Sequence, residues 1–83
     1  MFKVEPDYHL VDTNTCDFIR VGDTISSIVY KSKGVRCKLG GIGVIIARIT
    51  RHHVTVIVAG RKYIINTRKI ESISRVDVGK GYV

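Results

Sequence analysis

The sequence predicts a small all-β domain, a strongly bent barrel of five strands. Three observations support this prediction. Gly40, Gly41 and Gly43 lead directly into a run of Val and Ile, and glycine permits sharp bends where β-branched residues favour strands. The chain has 83 residues, one Pro and 45% hydrophobic residues, which fits a single domain with a thin core. No helical pattern is long enough to cover an open sheet, so closure into a barrel is expected.

The first 17 residues predict an irregular N-terminal arm. They show no sustained hydrophobic period and contain the single Pro, and we expect at most a short edge strand near residues 8–11. Turn-forming residues from Asp12 to Thr15 end this arm. The predicted organisation is an arm or edge segment at 1–17, a barrel at 18–78, and a tail or the start of a linker at 79–83.

Short apolar segments separated by turn residues define the predicted strands. A Gly22–Asp23 turn divides the first two segments, and Ala59–Gly60–Arg61 is a tight turn that makes a hairpin of two later ones. Residues 67–69 break the pattern, and one helical turn is expected at Ile70 and Ile73. The five predicted strands are residues 24–30, 43–50, 54–58, 62–66 and 74–78, and a short apolar piece at 18–21 precedes them.

The segment from Lys31 to Lys38 carries four basic residues and no acid. Because it contains Ser32 and Gly34 and shows no clear alternation, it predicts a loop or a flexible hairpin arm. A solvated surface loop is the alternative interpretation. A segment charged only for solubility would be expected to mix both signs, and this one does not.

The distribution of charge is more informative than its total. The net charge is +7 and the isoelectric point is about 9.8. Residues 1–29 carry two cations against five acids, a net charge of −3, and residues 30–83 carry twelve against two, a net charge of +10. Such asymmetry predicts binding to a polyanion, with a surface charged for solubility as the alternative.

Nucleic acid is the expected partner. If the basic bends meet at one end or edge of the barrel, about five phosphates are engaged together, which gives a salt slope of roughly −4 to −5 on duplex DNA. Single-strand binders stack bases on exposed rings. Only Tyr30 and Tyr63 lie near cations, and each is equally compatible with a role in core packing. We therefore expect largely nonspecific binding of duplex DNA, with RNA second. The predicted phosphate-binding residues are Lys31, Lys33, Arg36, Lys38, Arg61, Lys62, Arg68 and Lys69.

Other function classes are weaker. A protein interaction module that docks on an acidic partner stays open, with Ile57 as an exposed contact or part of a two-sided core. His52 and His53 would point to opposite faces of a strand; on a turn they could share a metal with His9, but a solvated turn is favoured. Acids cluster before residue 24 and no catalytic motif is present, so we expect neither an enzyme nor a cofactor.

The cysteines and the hydropathy pattern bear on the cellular location. Cys16 and Cys37 lack paired-ligand spacing, so neither zinc nor a disulfide framework is indicated, although a bridge between the two stays open. No apolar stretch approaches the roughly 18 residues of a membrane span, and the N-terminus does not resemble a signal peptide. The expected location is cytoplasmic and nucleoid-associated, in the host cytoplasm if the protein is phage-encoded.

Three segments carry a resemblance to a known group. Val21–Ile25, with its Gly-Asp turn, Lys38–Ile45, with glycine before a hydrophobic residue, and Val54–Val56 together resemble the KOW and Tudor-like group of SH3-like barrels. The resemblance covers roughly residues 18–76. The connection from Tyr30 to Leu39 departs from the pattern because it is longer and more basic.

The resemblance implies a range of ligands. Domains of this group bind RNA, ribosomal or polymerase components, or DNA, and Tudor-type members bind methylated side chains through an aromatic cage. Six aromatic residues and no Trp supply such a cage poorly. A small basic KOW-like protein also resembles phage-encoded DNA-binding modulators of transcription.

Overall fold

A computed structural model describes residues 2–5, 7–13 and 18–75. The fold is all-β, as predicted, but its described part contains eight strands rather than five. These form two antiparallel sheets, one with the order β1-β2-β3 and one with the order β7-β6-β5-β4-β8. The strands are β1 (Phe2–Val4), β2 (Leu10–Asp12), β3 (Phe18–Ile19), β4 (Thr24–Ser32), β5 (Val35–Ile49), β6 (His53–Val58), β7 (Arg61–Asn66) and β8 (Ile70–Arg75).

The five-stranded sheet curls into a half-barrel at a bend inside β5. Ile25 pairs with Val44 whereas Ser27 pairs with Gly40, so three residues of β5 lie opposite a single residue of β4. Gly41, inside this bulge, has a φ of 109°, which favours glycine. A bulge bends its strand and increases the local twist. The glycine-rich segment therefore bends one long strand rather than preceding a shorter one.

Two hairpins of the large sheet end in turns of the same kind. Lys33 and Gly34, with φ of 52° and 80°, join β4 to β5, and Ala59 and Gly60, with φ of 51° and 79°, join β6 to β7. Positive φ at both central residues is the signature of the type I′ turn, whose twist matches that of the strands. The predicted hairpin about Ala59–Gly60 is confirmed. Of the two alternatives predicted for the segment 31–38, a loop or a hairpin arm, the structure shows the hairpin.

The N-terminal segment is more regular than the sequence predicts. Its strands β1 and β2 pair with each other, and β2 also pairs with β3. Phe2, Leu10 and Ile19 are buried in the same apolar cluster as the residues of the large sheet. Strands of two or three residues are too short to show an alternating pattern, which is why the sequence indicates an irregular arm. The remaining core residues are Ile25, Ile28, Val44, Ile46, Ile49, Val54, Val56, Ile65 and Ile70.

A single turn of 3-10 helix, Thr67–Lys69, links β7 to β8. The helical turn predicted at Ile70 and Ile73 is wrong, because both residues belong to β8 and pair with β4. In the part of the chain that the structure describes, no helix is long and apolar enough to cross a membrane. The predicted last strand is represented by Ser74 and Arg75, at the end of β8. Its continuation to Val78, the tail at 79–83 and Cys16 lie outside the described residues.

Candidate nucleic-acid interface

The outer face of the β4–β5 hairpin carries a group of basic side chains. Lys31 and Arg36 are direct cross-strand partners, and Lys38 pairs with Val29 one step further along the same face. Because side chains alternate along a strand, this face points away from the core. Tyr30 lies on the opposite face and packs against the core. Lys31, Arg36 and Lys38 are all exposed, so their charges are available to a ligand.

Glu71 is the acid on which two of these cations converge. It occupies the irregularity where β8 pairs with β4, and 28% of its side chain is exposed. The Arg36 Nε donates to Glu71 Oε1 at 2.9 Å, and the Lys31 Nζ lies 3.7 Å from Oε2. An exposed pair of this kind contributes only about 0.2–1 kcal/mol. Its main effect is to fix the direction of two long side chains while leaving an excess of positive charge.

The 3-10 turn adds two more cations to the same end of the sheet. The Asn66 Oδ1 accepts a hydrogen bond from the Arg68 N–H at 2.9 Å, which caps the turn. The next strand, β8, begins with Ile70 opposite Tyr30. Lys69, the residue before Ile70, therefore lies beside the β4–β5 hairpin near Tyr30. We call the resulting group the arm end; its members are Lys31, Lys33, Arg36, Lys38, Arg68 and Lys69.

Arg61 and Lys62 lie elsewhere. They begin β7 beside the Ala59–Gly60 turn, whereas Arg68 and Lys69 follow the other end of that strand. The length of β7 between the His53–Asn66 pair and the Val58–Arg61 pair is about 17 Å at the usual rise per residue. Six of the eight predicted residues thus lie on the β4–β5 hairpin or in the 3-10 turn that leads into β8, and Arg61 and Lys62 lie at the opposite end of β7 from that turn.

The two tyrosines considered as stacking platforms face inward. Tyr30 and Tyr63 are partly buried and pack against the core. Burial raises the pKa of the Tyr30 phenol above its ordinary value, with smaller contributions from Cys37 and Tyr63. Both rings are only partly exposed and contact the core, so core packing accounts for their position.

The histidines do not assemble into a metal centre within the described ranges. His52 and His53 are exposed next to the β5–β6 connection, whereas His9 contacts the Asp7 carboxylate and lies edge-on to the Phe18 ring with centroids 4.9 Å apart. No cluster of three or more metal-ligating residues is found among the described residues. Cys37 is a free thiol whose Sγ lies 3.6 Å from the Val35 carbonyl.

Two residues that the charge pattern does not single out also lie at this part of the molecule. Tyr8 is 55% exposed, and it lines a pocket together with Val4, Glu5 and Arg51. The signal available for Arg51 was an Arg in a tight connection between two strands. No such signal exists for Tyr8, because no Lys or Arg lies within four residues of it and its pocket partner Arg51 is distant in the chain.

The outer face of β5, β6 and β7 differs from that of the hairpin arm because it is apolar. Ile45 and Ile57 are direct cross-strand partners, and Ile64 lies diagonally across from Ile57, within the reach of long side chains. Ile64 is 68% exposed and Ile45 is 46% exposed. Lys62, opposite Ile57, and Arg48, opposite Thr55, border this apolar patch of Ile45, Ile57 and Ile64.

Comparison of the chain with protein-family models, with curated proteins and with solved structures finds no match. The function of this surface is therefore inferred from its own charge and shape. The arm end holds six cations and Glu71, an excess of five positive charges. A group of this kind can neutralise several phosphates at once.

Proposed function

We propose that this protein binds nucleic acid, with duplex DNA as the favoured form, and thereby modulates transcription or nucleoid organisation. Phosphate contacts from the arm end provide the binding. The observation that carries this proposal is the row of exposed cations on the β4–β5 hairpin, of which Lys31 and Arg36 meet the carboxylate of Glu71, with the 3-10 turn beside it supplying two more. Phosphate contacts of this kind give affinity with little sequence preference. The protein acts as a binding protein and not as an enzyme.

Duplex DNA is favoured because the arm end offers charge without stacking rings. Tyr30 and Tyr63 are packed against the core, so they add nothing to the binding of unstacked bases at this surface. The β4–β5 hairpin ends in a two-residue turn, Lys33–Gly34. A two-stranded ribbon is narrow enough to enter the major groove, so this tip is the element that would approach the bases.

The resemblance to an SH3-like barrel of the KOW or Tudor type belongs to the same proposal. Strands β4 to β8 supply five strands, and β8 returns to pair with β4, the first of them. That return is the step by which a sheet begins to close on itself. The order of the strands, together with the bend at Gly41, supports a barrel of this type as the frame that presents the arm end.

The salt dependence of binding tests the phosphate contacts. With about five phosphates neutralised, the slope of log K against log salt is expected to be roughly −4 to −5 for duplex DNA. Affinity then falls by a factor of about 10² to 10³ between about 50 mM and 200 mM salt. Fluorescence anisotropy with several blunt duplexes of unrelated sequence measures both the slope and the sequence dependence.

The outcomes separate the parts of the proposal. A steep slope with similar affinity for all the duplexes supports it. A slope near zero, or binding confined to one sequence, contradicts phosphate-directed binding. Tighter binding of an RNA duplex under the same conditions would contradict the choice of DNA while leaving the phosphate contacts in place.

A second candidate function is an interaction module that docks on an acidic protein of the transcription or translation machinery. The apolar patch favours it, because Ile64 is exposed and the cations Lys62 and Arg48 border the patch. Capture of one acidic protein from a nuclease-treated lysate, lost in an Ile45→Ser, Ile64→Ser variant and kept in a Lys33→Glu, Arg36→Glu variant, supports this candidate. The reverse pattern contradicts it.

A further inference from the structure

A pocket opens where the N-terminal segment meets the β5–β6 connection. It is lined by Val4, Glu5, Tyr8 and Arg51 and has a volume of about 230 Å³. Pockets for drug-sized ligands measure roughly 300–1,000 Å³. This pocket is therefore suited to a smaller group, and its lining combines an aromatic ring, a guanidinium, an aliphatic side chain and a carboxylate.

Local hydrogen bonds fix the two sides of the pocket. The Tyr8 N–H donates to the Glu5 carbonyl at 2.8 Å, and the Glu5 N–H donates to the His9 carbonyl at 3.0 Å. This turn holds Tyr8 at a φ of 60°, an uncommon conformation for a bulky residue. On the other side, the Thr50 N–H donates to the His53 carbonyl at 2.8 Å, which closes the tight connection that contains Arg51.

The backbone strain at Tyr8 is informative because its ring gains little burial in return. Such a conformation is unfavourable and persists at sites where the surrounding structure imposes it, often functional ones. The ring is 55% exposed and faces a cavity that Arg51 also lines. Presentation of a ring to a ligand accounts for this arrangement better than core packing does.

The pocket borders the arm end. The His52 carbonyl, next to Arg51, accepts the Thr67 N–H at 2.9 Å and lies 3.3 Å from the Thr67 Oγ1. Thr67 begins the 3-10 turn that continues into Arg68 and Lys69, and β1 contacts the same turn. A nucleic acid whose phosphates lie on these cations can therefore reach the pocket with an adjacent nucleotide.

We propose that this pocket takes one unpaired nucleobase, with guanine preferred. The proposal rests on the proposed function and adds a base-binding subsite to it. The base stacks on the ring of Tyr8 and on the planar guanidinium of Arg51, as bases stack on aromatic side chains and on Arg in single-strand recognition. Val4 supplies an apolar wall.

Glu5 accounts for the choice of base. An ionised carboxylate only accepts hydrogen bonds, and guanine presents two adjacent N–H donors on its Watson–Crick edge, whereas cytosine and adenine present one amino group and thymine one ring N–H. The Lys3 Nζ lies 3.3 Å from Glu5 Oε1 and restrains the carboxylate. The preferred ligand is thus a duplex that ends in an unpaired guanine, for example at a junction or a strand end.

The test compares a blunt duplex with the same duplex carrying a single-stranded guanine overhang. The wild-type protein is expected to bind the overhang probe about 5- to 100-fold more tightly, the range that stacking of one base provides. Tyr8→Asn is the decisive variant, because Asn tolerates a positive φ and removes the ring without disturbing the turn. It should lose the preference and keep the affinity for the blunt duplex, whereas Tyr8→Phe should keep both.

Glu5→Gln tests the recognition of guanine separately. A neutral amide presents one acceptor where the carboxylate presents two, so the preference for a guanine over an adenine overhang should fall by roughly fivefold or more. Equal binding of the overhang and blunt probes by the wild-type protein, or a preference that survives in Tyr8→Asn, would overturn the base pocket while the proposed function stands. Failure to bind either probe would overturn both.

Discussion

The two hairpins of the large sheet are built alike and present different surfaces. Each ends in a two-residue turn with positive φ at both positions, Lys33–Gly34 in one and Ala59–Gly60 in the other. The outer face of the β4–β5 hairpin carries Lys31, Arg36 and Lys38, whereas the outer face of β6 and β7 carries the apolar patch. Similar turns thus present different surfaces, because the residues on the outer faces of the paired strands decide which charges lie together.

The largest expected effect is on the free energy of unfolding, which should differ between substitutions on the inner and on the outer faces of these hairpins. Ile28 of β4 is fully buried, and Ile28→Ala should lower the free energy of unfolding by about 2–5 kcal/mol through lost burial and a residual cavity. That is a large part of the roughly 5–15 kcal/mol typical of a domain. Ile64→Ala on the exposed face of β7 should change it by less than about 0.5 kcal/mol. Urea denaturation measures both, and a similar loss in the two variants would contradict the assigned faces.

The bend in β5 gives the next effect. A Cβ on Gly40 would lie 2.8 Å from the Ser26 carbonyl oxygen and 2.9 Å from the Ser27 Cβ, so Gly40→Ala forces the backbones of β4 and β5 apart. We expect a loss of about 1–3 kcal/mol in the free energy of unfolding. Gly60→Ala is the matched substitution in the other hairpin, where no atom lies within 4 Å and only the positive φ opposes it. A smaller loss at Gly40 than at Gly60 would show that the strands do not approach closely at the bend.

The turns allow a matched pair of stabilising substitutions. Lys33 and Ala59 each adopt a left-handed conformation that is unfavourable for residues with a Cβ and tolerated by Asn. Lys33→Asn and Ala59→Asn should each raise the free energy of unfolding by about 0.5–1 kcal/mol, as measured by thermal or urea denaturation. Only Lys33→Asn should also weaken DNA binding, because Ala59 lies outside the arm end. Destabilisation by either substitution would contradict the type I′ geometry.

The smallest effect concerns the acid of the arm end. Glu71→Gln removes the carboxylate shared by Lys31 and Arg36, so affinity for duplex DNA at low salt should rise about two- to fivefold, with a salt slope steeper by up to about 1. Asp23→Asn is the control, because Asp23 pairs with Arg75 at 3.6 Å and not with the arm end. An equal gain in both variants would indicate a response to net charge alone.

Much of the large sheet could be predicted from local residue patterns. Glycine beside a Val and Ile run predicts the bend in β5, and Ala59–Gly60 between two apolar segments predicts the β6–β7 hairpin, because both signals are short in range. The short strand expected near residues 8–11 corresponds to β2, but its partner β1 could not be recognised, because three residues do not show an alternation. Their buried residues Phe2 and Leu10 are fixed by contacts with distant strands.

The candidate site was predictable in its residue types and not in its arrangement. Charge runs identify Lys31 and Arg36, but their nearness to Lys69 depends on the pairing of β8 with β4, a long-range contact. The pairing of β6 with β7 places Arg61 and Lys62 at the other end of β7 from the 3-10 turn. No local pattern contains that information, since both groups look equally basic along the chain.

A matched pair of charge reversals tests the central claim most directly. Lys33→Glu, Arg36→Glu and Arg61→Glu, Lys62→Glu change the net charge by the same amount, one pair in the arm end and the other at the far end of β7. In blunt-duplex titrations at fixed salt, the arm-end variant should lose at least about tenfold in affinity and about two in the magnitude of the salt slope, and the other variant should lose much less. Equal losses in the two variants would contradict a localised binding surface.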